Sequence, residues 1–473
     1  LRLIRTATLL AWGCLTGGIV LGAWWSYAVR GWGGYWAWDP VENAALIPWL
    51  TGTAFLHSVI VQQRRGMLRV WNLSLLVATY CLTILGTFLT RSGVVNSVHA
   101  FTQSDVGPVL LGYLAVAAVV GLGLIGWRGD RLRAPGRIDS VLSREAAFLG
   151  NNLVLTALAT VVVTGTVFPL IAAALWGKQL SVGEPYFNRM SAPLGIALLV
   201  LMTVAPLLPY RAADPVVLRR RLFVPGSVAA ATMAILAAAG VTGAEQVLTF
   251  GLAAAAATAI GIQTGSAVHA RRTGTDEHRL VALLALVTAN RRHYGGLIVH
   301  LGVVVIAVAL AASHSYSSRL ETQLTEGSSA ALHGYTVTYL DTTAHSTPQK
   351  LTLAARLRVH HHGADLGVFR PSLAIFPRAT EAIGTPAVRP GPVSDLYLTL
   401  ASSPNQAGEV TVDIFVNPLV SWLWFGGLVM VGGTVLAGWP VRRKQRRPRA
   451  PVAPVPVQES APESPVVVGA GQS

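Results

Sequence analysis

The chain has 473 residues, 52% of them hydrophobic and 12% charged, with a mean hydropathy of +0.52. Soluble domains carry about 25% charged residues, so this composition excludes an ordinary soluble globule and indicates a polytopic α-helical membrane protein. The formal charge of +15 does not call for nucleic acid, because basic residues of membrane proteins collect in cytoplasmic loops.

The opening "LRLIRTATLL" has no initiator methionine. It resembles the basic start of a signal peptide, but no clear cleavage site follows, and the segment reads as the interior of a longer protein or a split gene product. Apolar runs long enough to cross a bilayer then occupy 7–29, 43–62, 70–90, 106–127, 148–176, 190–209, 222–240, 246–267, 294–313 and 415–440. Cys14 and Cys81 fall inside two of them without a CxxC spacing, and read as core residues rather than a disulfide or redox pair.

The charges between these runs sort by loop. One set carries Arg64, Arg65 and Arg69, then Arg128 to Arg144, Arg211 to Arg221, Arg271 to Arg292, and the tail "RRKQRRPR"; the alternate set holds little beyond Arg30, Arg91, Lys178 and Arg189. Ten crossings put every basic-rich loop on one side, so the positive-inside rule expects both termini in the cytoplasm. The segments expected outside are 30–42, 91–105 and a long insertion, 314–414. Period-2 alternation in "YTVTYLDT", "KLTLAARLRV" and "EVTVDIFV" makes that insertion a small β-rich domain. The layout is therefore a helical bundle over 1–313, the β-rich domain at 314–414, a last membrane helix at 415–440, and a basic then Pro-rich, disordered tail at 441–473.

Within "GWGGYWAWDPVENAALIPWL", residues 31–50, the rings of Trp32, Tyr35, Trp36 and Trp38 precede Asp39. Asp39 stands where an N-cap should, Pro40 fits the first helical position and Glu42 completes a capping box. The rings then lie over the outer face. Two readings stand side by side, an interfacial aromatic belt or a platform for a large planar ligand, with interleaved glycines allowing close approach. For Asp39, capping is preferred to acid–base chemistry.

His57 lies in the second run and His300 in the ninth, seven residues before Arg64 and eight after Arg292. Both are roughly 10–12 Å inside the cytoplasmic ends of their helices. Ionisable residues inside membranes default to a functional hypothesis, and two neutral imidazoles at one depth suit axial ligation of one haem iron. The alternative is that each bonds a neighbouring helix. His99, on the outer side near the membrane surface, could reach a ligand over the rings or be an ordinary loop histidine. The "HHH" of 360–362 falls in an expected strand, whose alternating side chains cannot converge on one metal.

The segments "WGGYWAWDPVENAALIPWL", "TGTAFLHS", "FLTRSGVVNSVHAF", "SREAAFLGNNLVL", "SVGEPYFN", "RRHYGGLIVHLG", "VRPGPVSDLYLTL" and "NPLVSWLWFGGLVMVGG" resemble, in order over about 1–440, the CcmF-type cytochrome c biogenesis family of the tryptophan-rich "WWD" haem-handling superfamily. Smaller members of that superfamily lack the β-rich domain; the resemblance does not separate the CcmF type from its NrfE paralogue. The resemblance implies a haem lyase. Trp32, Tyr35, Trp36, Trp38 and Asp39 would hold haem delivered by a CcmE-type chaperone, and His99 would contact its iron. His57 and His300 would be the axial ligands of a permanent transmembrane haem b. Implied partners are CcmH-type subunits, apocytochrome c and membrane lipid, with CcmI-type subunits and quinol as candidates and no nucleic acid. The implied location is the bacterial plasma membrane. The family pattern has a further outer histidine before the WWD segment, whereas no histidine precedes His57 here; that axial position is expected from another segment or polypeptide. Two rival classes are a haem exporter, which predicts helices broken near the midplane, and a b-haem quinone oxidoreductase without ligation activity. No GxxxxGK[ST] motif is present for an ATP-driven pump.

Overall fold

Apolar runs of this length satisfy their backbone only as helices when no water is at hand, and each expected run lies on a helix, the last one without its first residues. The computed structural model describes all residues except 94–105, 134–135, 137, 179, 378–381 and 441–473. In chain order the helices are α1 (Arg2–Val29), α2 (Pro40–Arg65), α3 (Arg69–Arg91), α4 (Gly107–Trp127), the single turn α5 (Gly129–Leu132), α6 (Arg144–Trp176), α7 (Glu184–Val204), α8 (Pro215–Ala238), α9 (Ala244–Thr275), α10 (Arg279–Ala289), α11 (Arg291–Tyr316) and α12 (Val420–Gly438). Among the described residues ten helices are long and apolar enough to span a membrane, and α10 is apolar but shorter. The protein is a polytopic α-helical membrane protein.

Helix α2 is the centre of one half of the bundle. Of its apolar window 67% is buried, against 0% for α4, which separates a core helix from one whose surface is left to lipid. Leu50, Ala54, Phe55 and Val59 of α2 pack on Leu75 of α3 and on Leu155 and Ala159 of α6. Cys14, expected in the core, is exposed, because α1 buries only 11% of its window.

Helices α11 and α12 meet through glycines. A Cβ on Gly295 would stand 2.6 Å from Gly433 O, and one on Gly302 2.6 Å from Gly426 O. Small residues let backbones approach where lipid offers no hydrophobic drive for helix association. This contact fixes α11, and with it His300.

The insertion between these two helices is a β-sandwich. Its strands are β1 (Ser318–Leu324), β2 (Ser329–Leu332), β3 (Tyr335–Ser346), β4 (Leu351–His361), β5 (Ala364–Phe369), β6 (Ser372–Ile375), β7 (Ile383–Thr385), β8 (Ala387–Arg389), β9 (Ser394–Leu400) and β10 (Val410–Pro418). One sheet runs β1-β10-β9-β8 and the other β2-β3-β4-β6-β7, with β5 on β4; the strand pairs are antiparallel. Val337, Leu357 and Val359 from one sheet face Leu396, Leu398, Val412 and Ile414 from the other, the interdigitated core of a sandwich. The expected last helix, 415–440, begins instead at Val420. Residues 415–418 finish β10 because alternate residues there still face the sandwich. His362 lies in a turn with φ +46, outside the expected strand, and His361 stacks on Tyr335 at 4.0 Å.

Candidate functional site

Asp39 caps α2. Its carboxylate accepts from Val41 N at 3.0 Å, and Glu42 Oε2 accepts from Asp39 N at 3.3 Å and from Ala37 N at 2.9 Å. The reciprocal box satisfies orphan donors of the first turn and pins the chain where the aromatic segment ends. Trp38, just before the cap, adopts φ +55. Its indole stacks on Phe187 (5.0 Å, 9°) and its Nε1–H donates to Asn188 Oδ1 at 2.7 Å.

The four rings do not share a plane. Trp36 stands perpendicular to Trp38, at 88°. Tyr35 turns into the bundle, bonded to Ser313 Oγ at 2.6 Å and edge-on to Trp424; burial raises its phenol pKa against the opposing hydrogen bond. Trp32, held by Ser26 Oγ at 3.2 Å, is 38% exposed. Trp32 is thus the exposed ring of the four and Trp36 is half-buried against Trp38, while Tyr35 and Trp38 anchor the segment.

The sandwich grips the same segment, a contact the sequence did not reveal. Gly31 N donates to Gly384 O at 3.0 Å. Tyr397 Oη donates to Arg30 O and accepts from Gly33 N at 3.3 Å. Asn417 Nδ2 donates to Gly33 O at 3.3 Å. Gly33 has φ +86, and a Cβ there would stand 2.5 Å from the Phe415 ring, so only glycine allows this approach. Burial raises the pKa of the Tyr397 phenol, keeping it a donor. No local signal in "SDLYLTL" marks Tyr397 as the residue that makes this contact.

Deeper in the bundle, His57 of α2 and His300 of α11 face one another. Their rings are parallel to within 1° with centres 6.0 Å apart. His57 Nδ1–H meets Thr53 O at 2.8 Å, which leaves Nε2 as the free electron pair. His300 Nδ1 is buried without a partner in the protein. A metal–imidazole bond is about 2 Å, so two rings on opposite sides of one metal stand roughly 6 Å apart. These residues fit an iron porphyrin held between two axial imidazoles. On the sandwich side of the pair, Trp12 and Trp49 stack at 5.4 Å, and Trp12 Nε1–H donates to Thr53 Oγ1 at 2.7 Å. His99 lies outside the described residues.

Residues 1–95 match the family described as Cytochrome C assembly protein, and 315–418 match the CcmF C-terminal beta-sandwich. The chain is 35% identical to the cytochrome c-type biogenesis protein CcmF of Pseudomonas aeruginosa, over 92% of this chain and 65% of that protein. It is 33% identical to CcmF of Escherichia coli K12, over 98% and 68%. A solved structure titled Cytochrome c Heme Lyase CcmF superposes with TM-score 0.74 at 34% identity, over 92% of this chain and 66% of that one. The chain thus spans about two thirds of the length of these relatives. Across the bundle and the sandwich alike, it belongs to the CcmF family of cytochrome c-type biogenesis proteins.

Proposed function

We propose that this chain is the haem-holding part of a cytochrome c haem lyase. Its substrates would be haem, brought by a CcmE-type chaperone, and the CxxCH cysteines of an apocytochrome c, with CcmH-type and CcmI-type subunits presenting the latter. The reaction adds each cysteine S–H across a haem vinyl group, forming a C–S bond and transferring the hydrogen to the neighbouring carbon. Haem supplies the reactive vinyls; the protein supplies orientation. Trp32 and Trp36 would bear one face of the substrate, with Asp39 and Trp38 fixing the segment's exit into α2. His99 is proposed to contact the substrate iron. A resident haem b held by His57 and His300 would supply one-electron chemistry from within the membrane, with quinol as the candidate donor. The rich set of arginines at the bundle end opposite the sandwich, Arg64 and Arg144 among them, supports an extracytoplasmic position for the Trp segment and sandwich in a bacterial plasma membrane.

The observation that carries this reading is the parallel imidazole pair, 6.0 Å between centres. Its test is a pyridine haemochrome spectrum of the protein purified after co-expression with a complete maturation system. Native protein should retain b-type haem, and His57→Ala or His300→Ala should lose it. Unchanged haem content in both variants would refute the assignment. Ligation is read separately, by haem staining of a CxxCH reporter. Disruption of Trp32 and Trp36 should abolish covalent haem while leaving the b-type spectrum.

A further inference from the structure

A porphyrin between His57 and His300 carries two propionates, and carboxylates left in hydrocarbon without compensation are costly. On the sandwich side lie the stacked indoles of Trp12 and Trp49, one turn from His57 through the Trp12 bond to Thr53, and these offer no cation. The opposite side differs. Arg64 follows His57 by seven residues on α2, and His293 precedes His300 by seven on α11. That spacing puts each on the same helix face as its imidazole, two turns away. Arg64 also leans back toward His57, because side chains tilt toward a helix N-terminus. From α6, Phe148 touches His57 at 5.9 Å between ring centres, and Arg144 lies one turn beyond Phe148 on that face.

The two guanidiniums are arranged rather than scattered. Tyr210 lies between two guanidiniums, Arg64 at 4.8 Å and Arg144 at 5.1 Å from its ring centre. Arg144 donates to Pro206 O at 2.8 Å, yet its Nε is buried without a partner. Neighbouring carboxylates are already engaged: Glu145 by Arg65 at 3.1 Å and by Arg211 N at 3.0 Å, and Asp139 by Arg65 at 2.6 Å. Among the described residues, neither Arg64 nor Arg144 pairs with a carboxylate.

The geometry points to a carboxylate-binding subsite formed by Arg64 and Arg144 on Tyr210, with His293 beside it, that receives the propionates of the porphyrin held by His57 and His300. The macrocycle is thereby oriented, with its propionate edge toward the arginines and its opposite edge toward Trp12 and Trp49. This rests on the imidazole-pair reading above and adds the group that sets orientation and retention. A lipid phosphate offers these guanidiniums similar chemistry, so the test must separate the two sources.

Haem-stripped protein in detergent is titrated with ferric haemin and, separately, with haemin dimethyl ester, whose propionates are uncharged; the readout is the low-spin bis-imidazole spectrum. Haemin should bind native protein at least about tenfold more tightly than the ester. Arg64→Gln and Arg144→Gln should each weaken haemin binding by about tenfold and leave ester binding unchanged. The ester arm uses unmodified protein, so it stands even if Arg144→Gln perturbs folding. Equal affinity for haemin and ester, or haemin affinity indifferent to both variants, overturns the subsite and assigns these arginines to lipid. Failure of the imidazole reading looks different: no low-spin spectrum forms with either porphyrin, and the subsite falls with it.

Discussion

Asp395 is 1% exposed. Its carboxylate accepts from Gly391 N at 2.9 Å and from Ser421 Oγ at 3.2 Å, yet burial prevails and raises its pKa. For an acid with a raised folded pKa, the protonated form belongs to the fold. The associated stability is full below the ordinary aspartate value of about 3.9 and is lost as pH rises through the raised folded value. Asp395→Asn keeps an oxygen for both donors without the charge. It should raise the thermal midpoint at neutral pH and flatten this pH dependence; a lowered midpoint at pH 7 would contradict the burial argument. Single residues differ in how far they can be read from sequence. His57 and His300 were legible because an imidazole among aliphatic residues is conspicuous, and Asp39 because a cap is local. Tyr397 was not, since its partner Arg30 is 367 residues away and nothing nearby hints at the pairing.

The α11–α12 contact is held by the spacing of four glycines. Gly295 and Gly302 are seven residues apart, as are Gly426 and Gly433, so each pair repeats on one helix face. Gly302→Leu must push against Gly426 O and Met430. The variant should lower thermal stability and weaken b-type haem retention together, because His300 rides on the displaced helix. Gly296→Ala is the control, with nothing within 4 Å of an added Cβ; it should be neutral or stabilising, as alanine favours helix over glycine by about 1 kcal/mol. Equal damage from both variants would mean that the close approach at Gly302 is not what holds the two helices together. Element existence was readable from hydropathy. The strand-to-helix boundary near 418 was not, because "DIFVNPLVSWLWF" is apolar in either conformation and only packing on the sandwich core decides it.

At the scale of the whole molecule, the sandwich acts as a brace on the aromatic segment, through Gly384, Tyr397 and Asn417. The double variant Tyr397→Phe with Asn417→Ala removes bonds worth about 1 kcal/mol each. It should reduce covalent haem on a CxxCH reporter by roughly tenfold while b-type haem is retained, since His57 and His300 lie in a different part of the bundle. Full ligation in that variant would show the brace to be dispensable. The brace was invisible in the sequence because alternation marks a strand without saying what its end touches.

Ser318 and Val416 are cross-strand partners in β1 and β10, so all the residues between them leave and return through one doorway at the top of α11 and α12. A sandwich attached this way is topologically a cassette. A linker of a few residues from Tyr316 to Leu419 could close the gap, leaving the whole helical bundle with α11 and α12 joined as a glycine-welded hairpin. Such a miniature should still take up haemin at its imidazoles while its tryptophans, released from their clasp, become accessible to iodide quenching.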